Sequence, residues 1–130
     1  MTILFHVLFA PLLVLSAWAQ GAPDSRVFRF EHGAREFSYF AARHLLISSD
    51  CQVASGGKLS CMAAQAFERS SLVGIPLPRG GADPGAVICV KKFKAQVEVG
   101  LNSLGAAASF CCFADKSLVS TGSLDYAANH

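Results

Sequence analysis

The chain has 130 residues, of which 52% are hydrophobic and 15% charged, and its formal net charge is +2. That is the size of one small domain. The balance excludes a nucleic-acid surface, because phosphate binding needs a clustered basic face, and Lys91, Lys92 and Lys94, the one local concentration, read as a solvated helix end.

The chain opens on MTILFHVLFAPLLVLSAWA. Residues 1–19 read as a secretory signal peptide: an apolar run ends in Ala17-Trp18-Ala19, the small-x-small pattern of a cleavage site. The run is too short for a comfortable membrane span, so no stable span is expected after cleavage. No Lys or Arg precedes it, which leaves an uncleaved N-terminal anchor as the alternative. No Cys stands at the cleavage point to carry a lipid. The expected location is periplasmic or secreted.

Residues 20–25 read as a short disordered leader. Residues 26–73 form a β-rich N-terminal half. Arg26–Glu31 and Ala34–Phe40 alternate apolar and polar residues around His32-Gly33. Paired across that turn, Phe28 faces Phe37 and Arg29 faces Glu36, an aromatic pair on one face and an ion pair on the other. His44–Ser48 is a short apolar strand, and Ser55-Gly56-Gly57 a turn. Pairing Ala54 with Lys58 sets Cys51 opposite Cys61, so a cross-strand disulfide is expected. Cys61–Arg69 suits a helix by composition and a strand by period; the disulfide register favours the strand.

Residues 74–82 are a loop, since GIPLPRGG is rich in chain breakers. Residues 83–130 form a C-terminal module. Asp83 is placed to cap a helix with Pro84 in its first turn, running to about Lys92. Ala95–Val99 is a strand with Val97 and Val99 on one face. Leu101–Gly105 turns, Ala106–Phe113 returns as an apolar strand, and Asp115-Lys116-Ser117 turns again. The tail, with Leu118, Val119, Leu124 and Tyr126, packs as a last strand or short helix.

Two stretches of this module, Asp83-Pro84-Gly85-Ala86-Val87-Ile88-Cys89 and Cys111-Cys112-Phe113-Ala114-Asp115-Lys116-Ser117, carry a resemblance. They resemble the Asn-Pro-Ala-x-x-x-Cys and Cys-hydrophobic-pair-Pro-Asp-Gly-Ser elements of the domain-of-unknown-function family number 333, whose members are often named hemolysins. Asp83 stands for Asn, Lys116 for the turn Gly, Phe93-Lys94 for a Gly pair, and Gly122 falls near a frequent Trp. The resemblance spans residues 81–130. It implies a small exported α+β module with one helix-to-strand disulfide and no catalytic residue. The residues themselves allow the same pairing. Cys89 on the helix and Cys111 on the strand can both face inward, with Cys112 turned away as the free thiol. Pairing Cys89 with Cys112, which frees Cys111, is the alternative.

Five Cys residues in a chain of this size read as a disulfide framework with one left over. The leftover Cys112 reads as a small buried apolar residue, against the alternatives of a reactive nucleophile or an intermolecular bridge. His32, His44 and His130 match no zinc spacing, and Asp50, Glu68, Asp83 and Asp115 sit where caps and turns explain them. No catalytic, metal or cofactor site is expected. Pro76, Leu77, Pro78 and Arg79 read as a linker, or as a stiff loop offered to a protein partner.

The expected fold is therefore α+β: a small disulfide-stapled domain with antiparallel hairpins and one short helix near residues 84–92. The expected role is a non-enzymatic binding or structural module of a bacterial envelope. An inhibitor of a secreted or envelope hydrolase, acting through residues 74–81, is the second reading. A membrane-active, hemolysin-like factor is the third.

Overall fold

The predicted period-two strands are present, and they close on one another. The computed structural model describes residues 23–53 and 57–130, so the signal-peptide expectation and most of the Ser55-Gly56-Gly57 turn lie outside the described residues. The elements are β1 (Asp24–Phe30), β2 (Gly33–Phe40), β3 (Leu45–Ser48), β4 (Gln52–Val53), β5 (Leu59–Ser60), α1 (Met62–Arg69), α2 (Pro84–Val87), β6 (Gln96–Leu101), β7 (Ala107–Cys112), β8 (Leu118–Ser120) and α3 (Thr121–Asn129). Six antiparallel strands form a closed barrel in the order β1-β2-β3-β8-β7-β6; β4 and β5 pair separately. The hairpins of the sequence reading are thus staves of a barrel, drawn from both halves of the chain.

Alternation along each strand builds two cores. Phe28, Phe37, Leu46, Phe110 and Leu118 point into the barrel. Their rings interlock, with centroids 4.6 Å apart for Phe37 and Phe110 and 4.9 Å for Phe28 and Phe110. Leu45, Ile47, Cys111 and Val119 point outward, under Ala63, Ala64, Ala66, Cys89 and Leu124 of the helices. The vicinal pair Cys111-Cys112 is divided between these cores, as period two requires.

Three expectations change. First, the β1–β2 register is displaced by two residues: Phe28 lies opposite Arg35, Phe37 opposite Arg26 and Arg29 opposite Ala34. The turn is Glu31-His32, and Gly33 opens β2 with a φ of +129°. Two residues is the strand period, so Phe28 and Phe37 keep one face and meet at 5.3 Å as diagonal neighbours. The Arg29–Glu36 pair does not form; the Ser25 hydroxyl donates to Glu36 Oε1 at 3.0 Å instead. Second, Asp24 and Ser25 belong to β1, paired with Tyr39 and Ser38, and not to a disordered leader.

Third, residues 62–69 are helix, not strand. The disulfide register holds, with Gln52 opposite Ser60 and Val53 opposite Leu59, but the strand stops at Ser60. Cys61 becomes the N-cap, its Sγ 3.3 Å from the Ala64 N–H. The Met62 N–H donates to Asp115 Oδ2 at 2.8 Å and the Ala63 N–H to Ser117 Oγ at 3.0 Å. The first-turn donors that a helix leaves bare are therefore met, two of them by residues far along the chain.

The helix at 84–92 is present as α2 followed by one wider, π-type turn over Ile88–Lys92. Asp83 caps it as expected: the Gly85 N–H donates to Asp83 Oδ1 at 2.9 Å, and the Thr121 hydroxyl donates to Oδ2 at 2.6 Å. Gly85 lets α2 sit against the backbone of Thr121, where an added Cβ would fall 1.8 Å from the Thr121 carbonyl oxygen.

Candidate functional site

Cys51 is bonded to Cys61 and Cys89 to Cys111, with Cα atoms 5.3 and 5.7 Å apart. Cys112 is the free thiol among the described residues. The first bridge anchors the start of α1, and the second ties the π-type turn to the outer face of β7. Both bridges lie in the outer core. Two disulfides fit an oxidising compartment, and among the described residues no helix is long and apolar enough to cross a membrane.

The barrel has two narrow seams. At the β3–β8 seam the strands pair at one position, Ile47 with Val119. Buried hydroxyls complete it: the Leu118 N–H donates to Ser48 Oγ and the Leu46 N–H to Ser123 Oγ, each at 2.9 Å. At the β1–β6 seam the strands also pair once, Arg29 with Leu101. Below that pair, among the described residues, Gln96–Val99 have β7 on one side and no paired strand on the other, while Phe28 and Phe30 of β1 crowd Gly100. Phe30 fills the gap from inside by lying over Gly100, where an added Cβ would come within 2.8 Å of the ring.

Two cavities flank this second seam. One, of about 310 Å³, lies between the β1–β2 turn and β6 and is lined by Phe30, Glu31, His32, Val97, Glu98 and Val99. The other, also about 310 Å³, is the mouth of the barrel, where Phe30, Arg35, Glu98, Cys112, Lys116 and Leu118 converge. Phe30, His32 and Glu98 border both.

The charges at the mouth are unevenly satisfied. Arg35 Nη2 is held at 3.0 Å by Asp50 and at 3.0 Å by the Lys116 carbonyl oxygen. Glu98 is half-buried and, among the described residues, has no ion pair within 4.0 Å; Glu31 has none either. Cys112 faces the barrel interior at this mouth. Burial pushes its thiol up and the Glu98 charge adds to the shift, against the smaller pull of Lys116 and Arg35. A raised thiol is a poor nucleophile near neutral pH. Cys112 is half-buried rather than buried, and Arg35, Glu98 and Lys116 share its cavity, so its setting is mixed and not the apolar one expected of it.

Residues 74–81 carry no helix or strand, and Leu77 is 47% exposed. Pro76, Pro78 and Arg79 are exposed too, and none of them lines the mouth of the barrel. His32 lies in the β1–β2 turn as expected. His44 and His130 stack on the two faces of Tyr126, with centroids 3.9 and 4.1 Å apart. No group of three or more His, Cys, Asp or Glu among the described residues is arranged to hold a metal.

The sequence reading missed Glu98, Phe30 and Gly100. Its signal was the alternation itself: Val97 and Val99 share one face, so Glu98 and Gly100 take the other. Only the closing of the barrel turns that other face inward. No family model, no curated protein and no solved structure matches the chain.

Proposed function

We propose that this chain is an exported, disulfide-stapled, non-enzymatic binding module whose working face is the open seam and mouth of the barrel. The supporting observation is the contrast between one seam completed by buried hydroxyls and one left with a half-buried, unpaired carboxylate beside a cavity. Unmet polar groups at a concave, partly apolar surface are what a ligand completes. The two disulfides support export, since such bridges persist in oxidising compartments. The Cys89 and Cys111 motifs support kinship of residues 81–130 with the domain-of-unknown-function family number 333.

Export is tested by expressing the full chain in a bacterium with an oxidising envelope and taking its intact mass after thiol labelling. The expected product has lost residues 1–19 and carries one label, on Cys112. A chain found in the cytosol with its leader intact, or one taking two or more labels, refutes the reading.

An inhibitor of an envelope hydrolase is the second reading, favoured by the exposure of Leu77 and Arg79 on the breaker-rich loop. It requires Arg79→Ala to abolish inhibition in an assay against secreted hydrolases while the disulfides form normally.

A further inference from the structure

The geometry points to the open β1–β6 seam as a docking groove for an extended peptide of a partner protein, one carrying a Lys or Arg that pairs with Glu98. This deepens the binding-module reading and rests on it.

Strand addition to a sheet edge needs a row of unpaired backbone, room beside it and pockets for alternate side chains. Among the described residues, Gln96–Val99 supplies the row, since β6 pairs with β1 at Leu101 alone. The 310 Å³ cavity between the β1–β2 turn and β6 supplies the room. A strand laid there sends alternate side chains inward past Phe30 and outward beside Val97 and Val99, which are 36% and 57% exposed.

Charge selects the occupant. The cavity holds two carboxylates, Glu31 and Glu98, and neither Lys nor Arg lines it. A charged side chain turned inward at a sheet edge normally blocks chance pairing. Here it blocks a second copy of this chain in particular, because β6 laid antiparallel on β6 about its centre brings Glu98 against Glu98. An incoming strand with a basic residue at the inward position removes that penalty and gains a charge-assisted hydrogen bond.

The test uses the disulfide-bonded full chain after export and two capped heptapeptides, Thr-Val-Thr-Lys-Thr-Val-Thr and its Glu-centred twin. Amide spectra are followed through each titration. The Lys peptide is expected to shift Gln96–Gly100 and Glu31–Gly33, and to bind about tenfold more tightly than the twin, the worth of one hydrogen bond to a charged group. Glu98→Lys should reverse the order and Glu98→Gln should shrink the preference for the Lys peptide to what Glu31 alone supports, with both disulfides intact in each variant. Binding of neither peptide, equal binding of both, shifts mapping away from β6, or an order unchanged by Glu98→Lys overturns the proposal. Export, tested separately by mass, can stand when this docking fails.

Discussion

The two seams of the barrel start from the same poverty of backbone pairing and end differently. Each joins its strands at one residue pair, Ile47 with Val119 in one and Arg29 with Leu101 in the other. At the first, side chains take over from the missing ladder. Ser48 and Ser123 accept the Leu118 and Leu46 amides, and helices cover the outside. At the second, an aromatic ring lies over a glycine, and Val97, Val99 and Leu101 stay exposed outside. The lesson is that a barrel needs its polar groups met only where it is buried. Where water or a partner reaches, the seam can stand open.

The sharpest way to break that contrast is to loosen what lies over the closed seam. Replacing Cys89 and Cys111 together by Ala removes the bond between the helix layer and β7. Loss of such a bridge costs about 2–5 kcal/mol, and the thermal midpoint should fall by more than about 10 °C. A fall of only a degree or two would mean that the helices hold the barrel without it.

Ser48→Ala comes next. It leaves the Leu118 amide buried without an acceptor, a cost of about 1–3 kcal/mol. Glu98→Ala at the open seam removes a charge that no ion pair holds, so its effect on stability should stay within about 0.5 kcal/mol. Urea unfolding of the two variants compares the seams directly. Equal losses would erase the distinction between them.

How far these seams were legible in the sequence differs by element. Period two in Arg26–Glu31 and Ala34–Phe40 gives the hairpin and its inward face, yet not its register, because a two-residue slip preserves every face. One disulfide was legible from the Cys51 and Cys61 spacing about a Gly-rich turn; for the other, the opposed faces of Cys111 and Cys112 show that only one of them can meet Cys89, and the structure makes it Cys111. The helix at 62–69 was not legible. Its amides are met by Cys61, Asp115 and Ser117, and two of those lie over fifty positions away. Closure of the barrel was invisible for the same reason, since β1 meets β6 and β3 meets β8 only through long-range pairs. The candidate site follows from that closure, so its residues stood in plain alternation without a partner to give them meaning.

Gly100→Ala probes the open seam from inside. The new methyl must push the Phe30 ring aside, and the neighbouring cavities give the ring somewhere to go. The cost should be about 1–2 kcal/mol, toward the lower end for overpacking. Amide exchange at Arg29 and Leu101 should quicken while Ile47 and Val119 keep their protection. Equal quickening at both pairs would show that the seams open together.

Asp115 offers the cleanest sign. Burial pushes its carboxyl up, but hydrogen bonds from the Met62 amide and from the Ser117 hydroxyl and amide together outweigh it, leaving the group below the usual carboxylate range. A carboxyl lowered in the folded state adds stability above its unfolded pKa of about 3.9 and loses it as pH falls through the folded value. Asp115→Ala removes acceptors at the start of α1, at a cost of about 1 kcal/mol near pH 7, as for other lost N-caps. As pH falls below the unfolded pKa and through the lowered folded value, the parent loses the charge-dependent part of that contribution by protonation, so the gap between the two unfolding midpoints should narrow. The change acts on the layer over the closed seam, because Asp115 ties α1 to the turn before β8. A gap between parent and variant that stays constant from pH 7 to pH 2.5 would show that the carboxylate charge adds nothing to that tie.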